Sequence, residues 1–367
     1  MPISDDARAV QALVNKKFGP GALVVASEIV NRPPLTTGSL SVDIALGGGF
    51  PSNQWSEIVG RESSSKTSLA YMTLHANQMR DPAFMTLWVA AEAYNHKWAA
   101  SLGVDNSRVH LAPTNSMEQA YEILVRAANS RAYDLLVLDS YPALVANQED
   151  ERTMEDMVVG LGARRTGQFF RKVGSSMGRS LVEQEKPVVG LFVNQFRKAI
   201  GQFSPQGTPN TTPGGEAKNY AFYVRLELSR TEYIDEPIPG KNMKRRVGQT
   251  VKAKVVKNKQ ASPHRVGGYD FYFENAPQHG FRAGEHDRAK ELLTLGVLYD
   301  QIEQGGGGYF TAAGTRYKGR PALLAALRED LDLQTALEAS IRSVALGDGA
   351  VPLSQEPPED DDLLDAA

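Results

Sequence analysis

The sequence predicts an α/β fold built on a mostly parallel central sheet, and three observations carry that expectation. The first is a set of short, wholly apolar runs: MTLWVAA (85–91), LLVL (135–138) and VVGLFV (188–193). Strands apolar on both faces are what a parallel sheet buried between helices requires. The second is that each run ends on polar residues, at Glu92, Asp139-Ser140 and Asn194-Gln195. Ligands of such sheets bind outside the carboxyl ends of the strands, where these residues fall. The third is WSEIVGRESSSKTS (55–68), which reads as strand, phosphate loop and helix start. Ordinary helix caps would explain one or two of the four polar strand ends, but not all of them.

Taken in order, Ser4 caps a first helix with Val10, Leu13, Val14 and Phe18 on one face. Gly19-Pro20-Gly21 stops it, residues 22–26 read as a strand, and Asn31-Arg32-Pro33-Pro34 reads as a linker. A helix and strand this small bury little alone; they pack on a neighbouring molecule or fold back on their own core.

The phosphate loop runs Gly60, Arg61, Glu62, Ser63, Ser64, Ser65 and then Lys66-Thr67-Ser68. Its backbone N–H groups and the dipole of the helix beginning near Lys66 face an anion. Lys66 would reach the β- and γ-phosphates of a nucleotide, and the Thr67 hydroxyl would hold Mg²⁺. Leu69, Met72, Ala76 and Met79 form one stripe of the helix that follows. The pattern G-x-x-x-x-G-K-[ST] has Ser65 in place of its second glycine. A left-handed backbone there costs a serine about 1 kcal/mol and narrows the phosphate's approach. Alone, the loop also reads as a Ser-rich turn capping a helix.

Asp139 suits the Walker-B role in the Mg²⁺ shell. Glu92 is placed to orient and deprotonate a water attacking the γ-phosphate, and Gln195 to sense that phosphate. Glu183 and Glu185 are rival carboxylates in a polar link and read as solvated. After Gln195, Phe196-Arg197-Lys198-Ala199-Ile200 leads into GQFSPQGTPNTTPGG (201–215), uncharged with three prolines. A loop this long is functional or disordered. Gly214 and Gly215 offer bare N–H groups to phosphate, and Ile200 or Phe203 could wedge between bases. On a helix over 160–179, Arg164, Arg165, Arg171, Lys172 and Arg179 fall within about 120° of arc, clear of Phe169, Phe170, Val173 and Met177. A solvated amphipathic face is the competing reading. The acidic run 147–156 reads as a further loop at this surface.

HDRAKELLTLGVL, glycine turns at 305–308 and 314, and RPALLAALREDLDLQTALEASIRSVAL suggest a small C-terminal α+β domain. Residues 343–367 then carry seven acids and no Lys or Arg, leaving 40 basic against 36 acidic residues elsewhere. Such a tail competes with a polyanion for the body, or simply solubilises a disordered end. With no cysteine, disulfides, thiol catalysis and Cys-based zinc are excluded, which fits a reducing cytoplasm. No apolar run approaches the ~18 residues of a membrane span. Asp5 and Asp6 stand where a signal peptide needs positive charge.

TTGSLSVDIALGGGFP, GRESSSKTS, VVGLGARRTGQFFRKV, FVNQFRK, TTPGG followed by YVRLELSR, and KVVKNK occur in this order and closely resemble the bacterial RecA recombinase family. LVNKKFGPGAL resembles that family's polymerisation arm. The resemblance covers roughly residues 7–330, and its divergence suggests a phage-encoded member. It implies a RecA-like P-loop ATPase core at 35–270, a polymerisation arm at 1–34, a small C-terminal domain at 271–345 and an acidic disordered tail at 346–367. Gly60 to Ser68 would bind ATP, Glu92 would be the catalytic carboxylate, Asp139 and Thr67 would serve Mg²⁺, and Gln195 would sense the γ-phosphate. The DNA-binding loops would be 147–156 and 199–215, with Arg164, Arg171, Arg197, Lys198, Ile200, Gly214 and Gly215 at DNA. Tyr220 would sit at a subunit contact, and Lys257 and Lys259 would reach the neighbouring subunit's ATP. From periodicity alone those lysines are a solvated strand edge. Near the adenine, His96 and Ala99 stand where the family has aspartate and tyrosine, with Trp98 as a substitute stacking surface. Asn219 stands at a family lysine, with Lys218 one residue early.

The resemblance implies an ATP-dependent homologous recombinase that forms helical filaments on single-stranded DNA, pairs it with homologous duplex and hydrolyses ATP when DNA-bound. A single-stranded-DNA-binding protein or loader would be a further partner. The alternatives are a ring motor with the same core, and an ATP-gated filament with little hydrolysis.

Overall fold

The computed structural model describes residues 3–19, 21–29, 32–146, 161–178, 186–198 and 210–347. Helix α1 (Asp5–Phe18) opens on Ser4, whose hydroxyl accepts from the Ala7 N–H, and none of its residues is buried. Val10, Leu13 and Phe18 are more than half exposed. Residues 22–26, expected as a strand, are not one in this chain. A strand exists only by pairing its N–H and C=O row with another, and side chains of α1 satisfy this segment instead. The Leu23 N–H donates to Asn15 Oδ1 (2.8 Å), and its carbonyl accepts from Asn15 Nδ2 (3.0 Å) and Gln11 Nε2 (3.2 Å). A 3-10 turn, Ala26–Glu28, follows.

The core begins with α2 (Leu40–Leu46), β1 (Trp55–Gly60) and α3 (Lys66–Arg80). It continues through β2 (Thr86–Ala90), α4 (His96–Ser101), β3 (Val109–Pro113), α5 (Met117–Ser130) and β4 (Leu135–Asp139). Then come α6 (Leu161–Gly178), β5 (Val189–Gln195), β6 (Arg197–Lys198), β7 (Asn210–Thr211) and α7 (Gly215–Ala221). Three long strands close it: β8 (Val224–Pro237), β9 (Lys244–Asn258) and β10 (Val266–Tyr272). Among the described residues the main sheet has eight strands in the order β10-β9-β8-β1-β5-β4-β2-β3. The strands from β8 to β3 pair in parallel, and β9 and β10 extend the sheet antiparallel.

The apolar runs are buried on both faces, as their composition requires. Leu135, Val137, Leu191 and Val193 pack with Leu69 and Leu74 of α3. Their alternates Leu136, Leu138 and Phe192 pack with Tyr121 and Leu124 of α5 and Phe169 and Val173 of α6. Each such side chain contributes about 1.5–3 kcal/mol. Gly190 is fixed by packing: a Cβ there would lie 2.0 Å from the Trp55 ring. Trp55 in turn meets Phe169 and Phe192 edge-on at 5.2 and 5.3 Å. The crossovers therefore leave the carboxyl ends of β1, β2, β4 and β5 side by side.

Beyond the sheet, α8 (Arg288–Leu298), the antiparallel strands β11 (Ile302–Gly305), β12 (Tyr309–Ala312) and β13 (Thr315–Lys318), α9 (Gly319–Glu329) and α10 (Leu331–Leu346) form a small unit. Its core includes Leu40 and Ile44 of α2. Two polar ties reinforce that docking. Glu291 accepts from the Ser39 hydroxyl and from the Ser41 N–H at 2.8 Å, and Arg342 pairs with buried Asp43 at 2.7 Å. Burial pushes Glu291 up to about 7, against those hydrogen bonds. Among the described residues, no helix is long and apolar enough to cross a membrane.

Candidate active site

The strand ends open into one cavity of about 570 Å³, lined by Glu62 to Ser68, Glu92, Trp98, Asp139 and Gln195. Gly60 and Gln195 are register partners at the ends of β1 and β5. Gly60 leaves room for the loop to turn, since a Cβ there would lie 2.4 Å from Ser64 Oγ and 2.5 Å from the Leu228 carbonyl. Lys66 Nζ donates across the loop to the Arg61 carbonyl at 2.6 Å. Burial pushes Lys66 below the ordinary lysine range, opposed by the charges of Asp139, Glu92 and Glu62. Thr67 Oγ1 donates to Asp139 Oδ1 at 3.4 Å. Asp139 is pushed up to about 7 by burial and then by Glu92, with Thr67 and Lys66 opposing. Thr67 Oγ1 and Asp139 Oδ1 are adjacent hard oxygens of the kind Mg²⁺ takes, and would hold it there.

Glu92 is exposed into this cavity and tied at both ends. Its N–H donates to the Asp139 carbonyl at 3.1 Å, and its carboxylate accepts from the Ser140 hydroxyl. Gln195 lines the same cavity, with its N–H held by Asn194 Oδ1 at 2.8 Å.

Ser65 does adopt the left-handed backbone, at φ 62°, and Ser63 does so at φ 57°. Gln249 of β9 holds both: its Nε2 donates to Ser65 Oγ at 2.6 Å and to the Ser63 carbonyl at 3.2 Å. That bond, worth about 1 kcal/mol, offsets the cost of the serine's backbone. Gln249 carries no local signal in the sequence, because it reaches the loop only through sheet pairing. Ser65→Gly should therefore leave thermal stability within about 1 kcal/mol of the parent while tightening ATP binding severalfold. Unchanged affinity by equilibrium titration would show that the hydroxyl does not narrow the phosphate's approach.

Trp98 stands edge-on to Phe271, ring centroids 6.3 Å apart, at one wall of the cavity. Ala99 is buried in the core and His96 opens α4 in solvent. Tyr233 and Arg230 also line the cavity, with the Tyr233 ring between the guanidiniums of Arg230 and Arg246 at 4.0 and 3.8 Å. Sequence reasoning missed this stack, which the β8–β9 pairing creates.

On α6, Arg164, Arg171 and Lys172 are exposed, whereas Phe169 and Val173 are buried. Arg165 departs from the expected basic face: its guanidinium pairs with Glu118 of α5 at 3.0 Å. A Cβ on Gly215 would lie 2.8 Å from the Ala163 methyl, so Gly215 presses against α6 beside Arg164, while Gly214 packs on Lys218 and the Tyr141 hydroxyl. Exposed Arg197 donates to the Pro142 carbonyl at 3.2 Å. Arg197 pairs with Thr211 and Lys198 with Asn210 through the backbone, joining the two ends of the long loop. Ile200, Phe203, Arg179 and the run 147–156 lie outside the described residues.

Lys257 and Lys259 do not line the cavity. Lys257 Nζ donates to the Asn219 and Tyr220 carbonyls at 2.5 and 3.0 Å, and Lys259 Nζ to that of Tyr220 at 3.4 Å. Burial and the neighbouring charge of Lys259 push Lys257 down to about 8. Lys259 pairs at Tyr223, which pairs at Trp55, the start of β1. Gly60 lies five residues further on, about 17 Å at the rise of a strand. Neither ammonium faces its own phosphate loop.

The family model of the RecA N-terminal domain matches residues 7–276. The chain belongs to the RecA family. It is 32% identical to the protein RecA of Pseudarthrobacter chlorophenolicus, covering 99% of this chain and 97% of that one. It is 34% identical to the protein RecA of Clostridium acetobutylicum, covering 91% and 90%. With that of Chlorobaculum parvum the identity is 33%, covering 94% and 95%. As a RecA-family member the chain is a DNA-dependent ATPase of homologous recombination and repair, acting through filaments and strand exchange.

Proposed function

We propose that this RecA-family chain completes its ATPase site only between subunits, in a head-to-tail filament on single-stranded DNA. The observation that carries this is the separation of Lys257 and Lys259 from their own phosphate loop. In this reading the loop Gly60 to Thr67 and Lys66 hold the ATP phosphates, and Trp98 stacks on the adenine. Mg²⁺, held by Thr67 and Asp139, would neutralise charge on the β- and γ-phosphates. Glu92 takes the proton of a water as it attacks phosphorus, and the bond to the β-phosphate oxygen breaks to give ADP and phosphate. Lys257 and Lys259 of the next subunit stabilise the charge that develops. Gln195 reports the γ-phosphate to the long loop, while Arg164, Arg171, Arg197, Lys198, Ile200, Gly214 and Gly215 bind DNA. Exposed Val10, Leu13 and Phe18 of the arm (residues 1–34) and exposed Tyr220 supply an apolar contact to the neighbour. The units are 1–34, 35–270, 271–345 and the tail 346–367. The protein would work in the cytoplasm on single strands and homologous duplex, alongside a single-stranded-DNA-binding protein or loader. Its divergence from the bacterial relatives supports a phage-encoded origin.

The test is ATP hydrolysis with and without single-stranded DNA, alongside imaging of the complexes. DNA-stimulated turnover on helical filaments supports the reading, and closed rings overturn it. Ser65 keeps a second reading alive, an ATP-gated filament with little hydrolysis, for which filaments without turnover would speak.

Removing the acidic tail supplies another test. Helix α10 runs to Leu346 with Ala345 buried, so the cut belongs after Gly347. Deleting 348–367 removes all seven acids without touching the helix. Duplex DNA binding should tighten, most at low salt where the Debye length is long. Equal binding at every salt concentration would make the tail a linker or partner handle.

A further inference from the structure

Glu57 is the third residue of β1 and is wholly buried. Its Oε1 accepts from Asn194 Nδ2 at 2.7 Å and Lys218 Nζ at 3.0 Å, and its Oε2 from Arg225 Nε at 2.6 Å. Lys218 is equally buried, and its ammonium spends its other donors on Thr212 Oγ1 (2.6 Å) and Asn219 Oδ1 (3.0 Å). Asn194 completes the chain, donating also to the Pro213 carbonyl at 3.4 Å and accepting from the Gln195 N–H at 2.8 Å. Next to Pro213, Gly214 lies under the Lys218 stem, where a Cβ would come within 2.6 Å of Cδ.

One carboxylate thus ties together the two flanks of the long loop. One is the backbone of Gln195, at the phosphate cavity. The other is the segment Thr212 to Gly214, where the long loop rejoins the core beside α6. Such a pair is poorly explained as a source of stability, since buried ion pairs are often replaced by apolar residues without loss. What it does provide is a rigid link with few alternative arrangements, because every donor of Lys218 has one partner.

We propose that the buried Glu57–Lys218 pair, with Asn194 and Thr212, is the positioning unit that couples nucleotide at Gln195 to DNA at Thr212–Gly214. A shift of the Thr212 hydroxyl or Pro213 carbonyl on DNA binding is passed by Lys218 and Asn194 to the Gln195 N–H, and the γ-phosphate acts in reverse. The inference rests on the reading of Gln195 as sensor and of Gly214 and Gly215 as DNA contacts.

Coupling between two ligands is reciprocal in binding free energy, so one ratio measures it from either side. The quantity to read is DNA affinity with and without a non-hydrolysable ATP analogue, and analogue affinity with and without single-stranded DNA. Lys218→Met removes the cation and keeps the stem's volume, leaving Glu57 with Arg225 and Asn194 and Thr212 with only the long 3.4 Å bond from Arg225. Expected are unfolding temperature and analogue affinity without DNA close to the parent's, with both coupling ratios falling at least tenfold together. A folded Lys218→Met protein with the parent's ratios overturns the proposal. Should that variant not fold, Thr212→Val breaks only the loop end of the link and must lower the same ratios, and parental ratios there overturn it equally. If the parent itself shows no coupling, the sensor reading fails, and this inference with it.

Discussion

Glu92→Gln should lower ATP hydrolysis by about 10²–10⁴-fold, the usual worth of a positioned base, and leave ATP-driven filament assembly intact. The split follows from where Glu92 sits. It accepts a hydrogen bond from Ser140 and borders the cavity, but the phosphate cradle and the Thr67–Asp139 oxygens are formed without it. Glutamine keeps the shape and the Ser140 contact yet cannot take a proton from water. Steady-state phosphate release and electron microscopy on the same samples check the two halves. Parental turnover would mean that another group is the base; lost assembly would mean that Glu92 holds nucleotide.

Lys257→Ala with Lys259→Ala should abolish DNA-stimulated hydrolysis and ATP-induced filament order together, while ATP still binds the isolated chain. Both lysines cap the end of α7 in the single chain, so their loss does not touch the phosphate loop. Mixing with Lys66→Ala protein separates action in trans from action in cis. In an equal mixture of head-to-tail subunits about a quarter of the junctions combine an intact loop with intact lysines. Hydrolysis should return in proportion. If loop and lysines act within one chain, no mixture rebuilds a site, and activity stays at the level of the separate mutants. Lys257 adds a pH signature. Its proton is lost near pH 8 in the isolated chain, and a phosphate partner favours the charged form. Assembly should therefore take up protons at about pH 8 and weaken as pH rises further.

The fold was legible where composition leaves one choice. Runs such as LLVL are apolar at every position, and only a sheet covered on both faces buries them. The polar residues closing those runs were legible for the same reason, since the strand fixes where its end must be. Residues 22–26 misled because strand propensity says nothing about a partner strand, and Asn15 and Gln11 satisfied the backbone first. Gln249 and Tyr233 escaped notice because their significance depends on register across the sheet, and Asn194 was legible only as the polar end of its run. Glu57 did leave a trace, a lone carboxylate within WSEIVG, but its cation lies 161 positions away at Lys218. Arg165 looked like part of a basic face until Glu118 of a neighbouring helix claimed it.

If Lys257 and Lys259 serve the neighbouring subunit's loop, as their distance from their own suggests, a linear assembly has two unlike ends. One end shows a phosphate loop with no lysines opposite, and the other shows lysines with no loop to serve. A filament of N subunits then holds N − 1 working sites, and a closed ring holds N. Turnover per subunit should rise with filament length from zero for a single chain to half its limit for a dimer, then level off. The two ends would also lose subunits at different rates, since only one terminal subunit has its nucleotide in a junction. In that arrangement the site itself would tell the two ends of the filament apart.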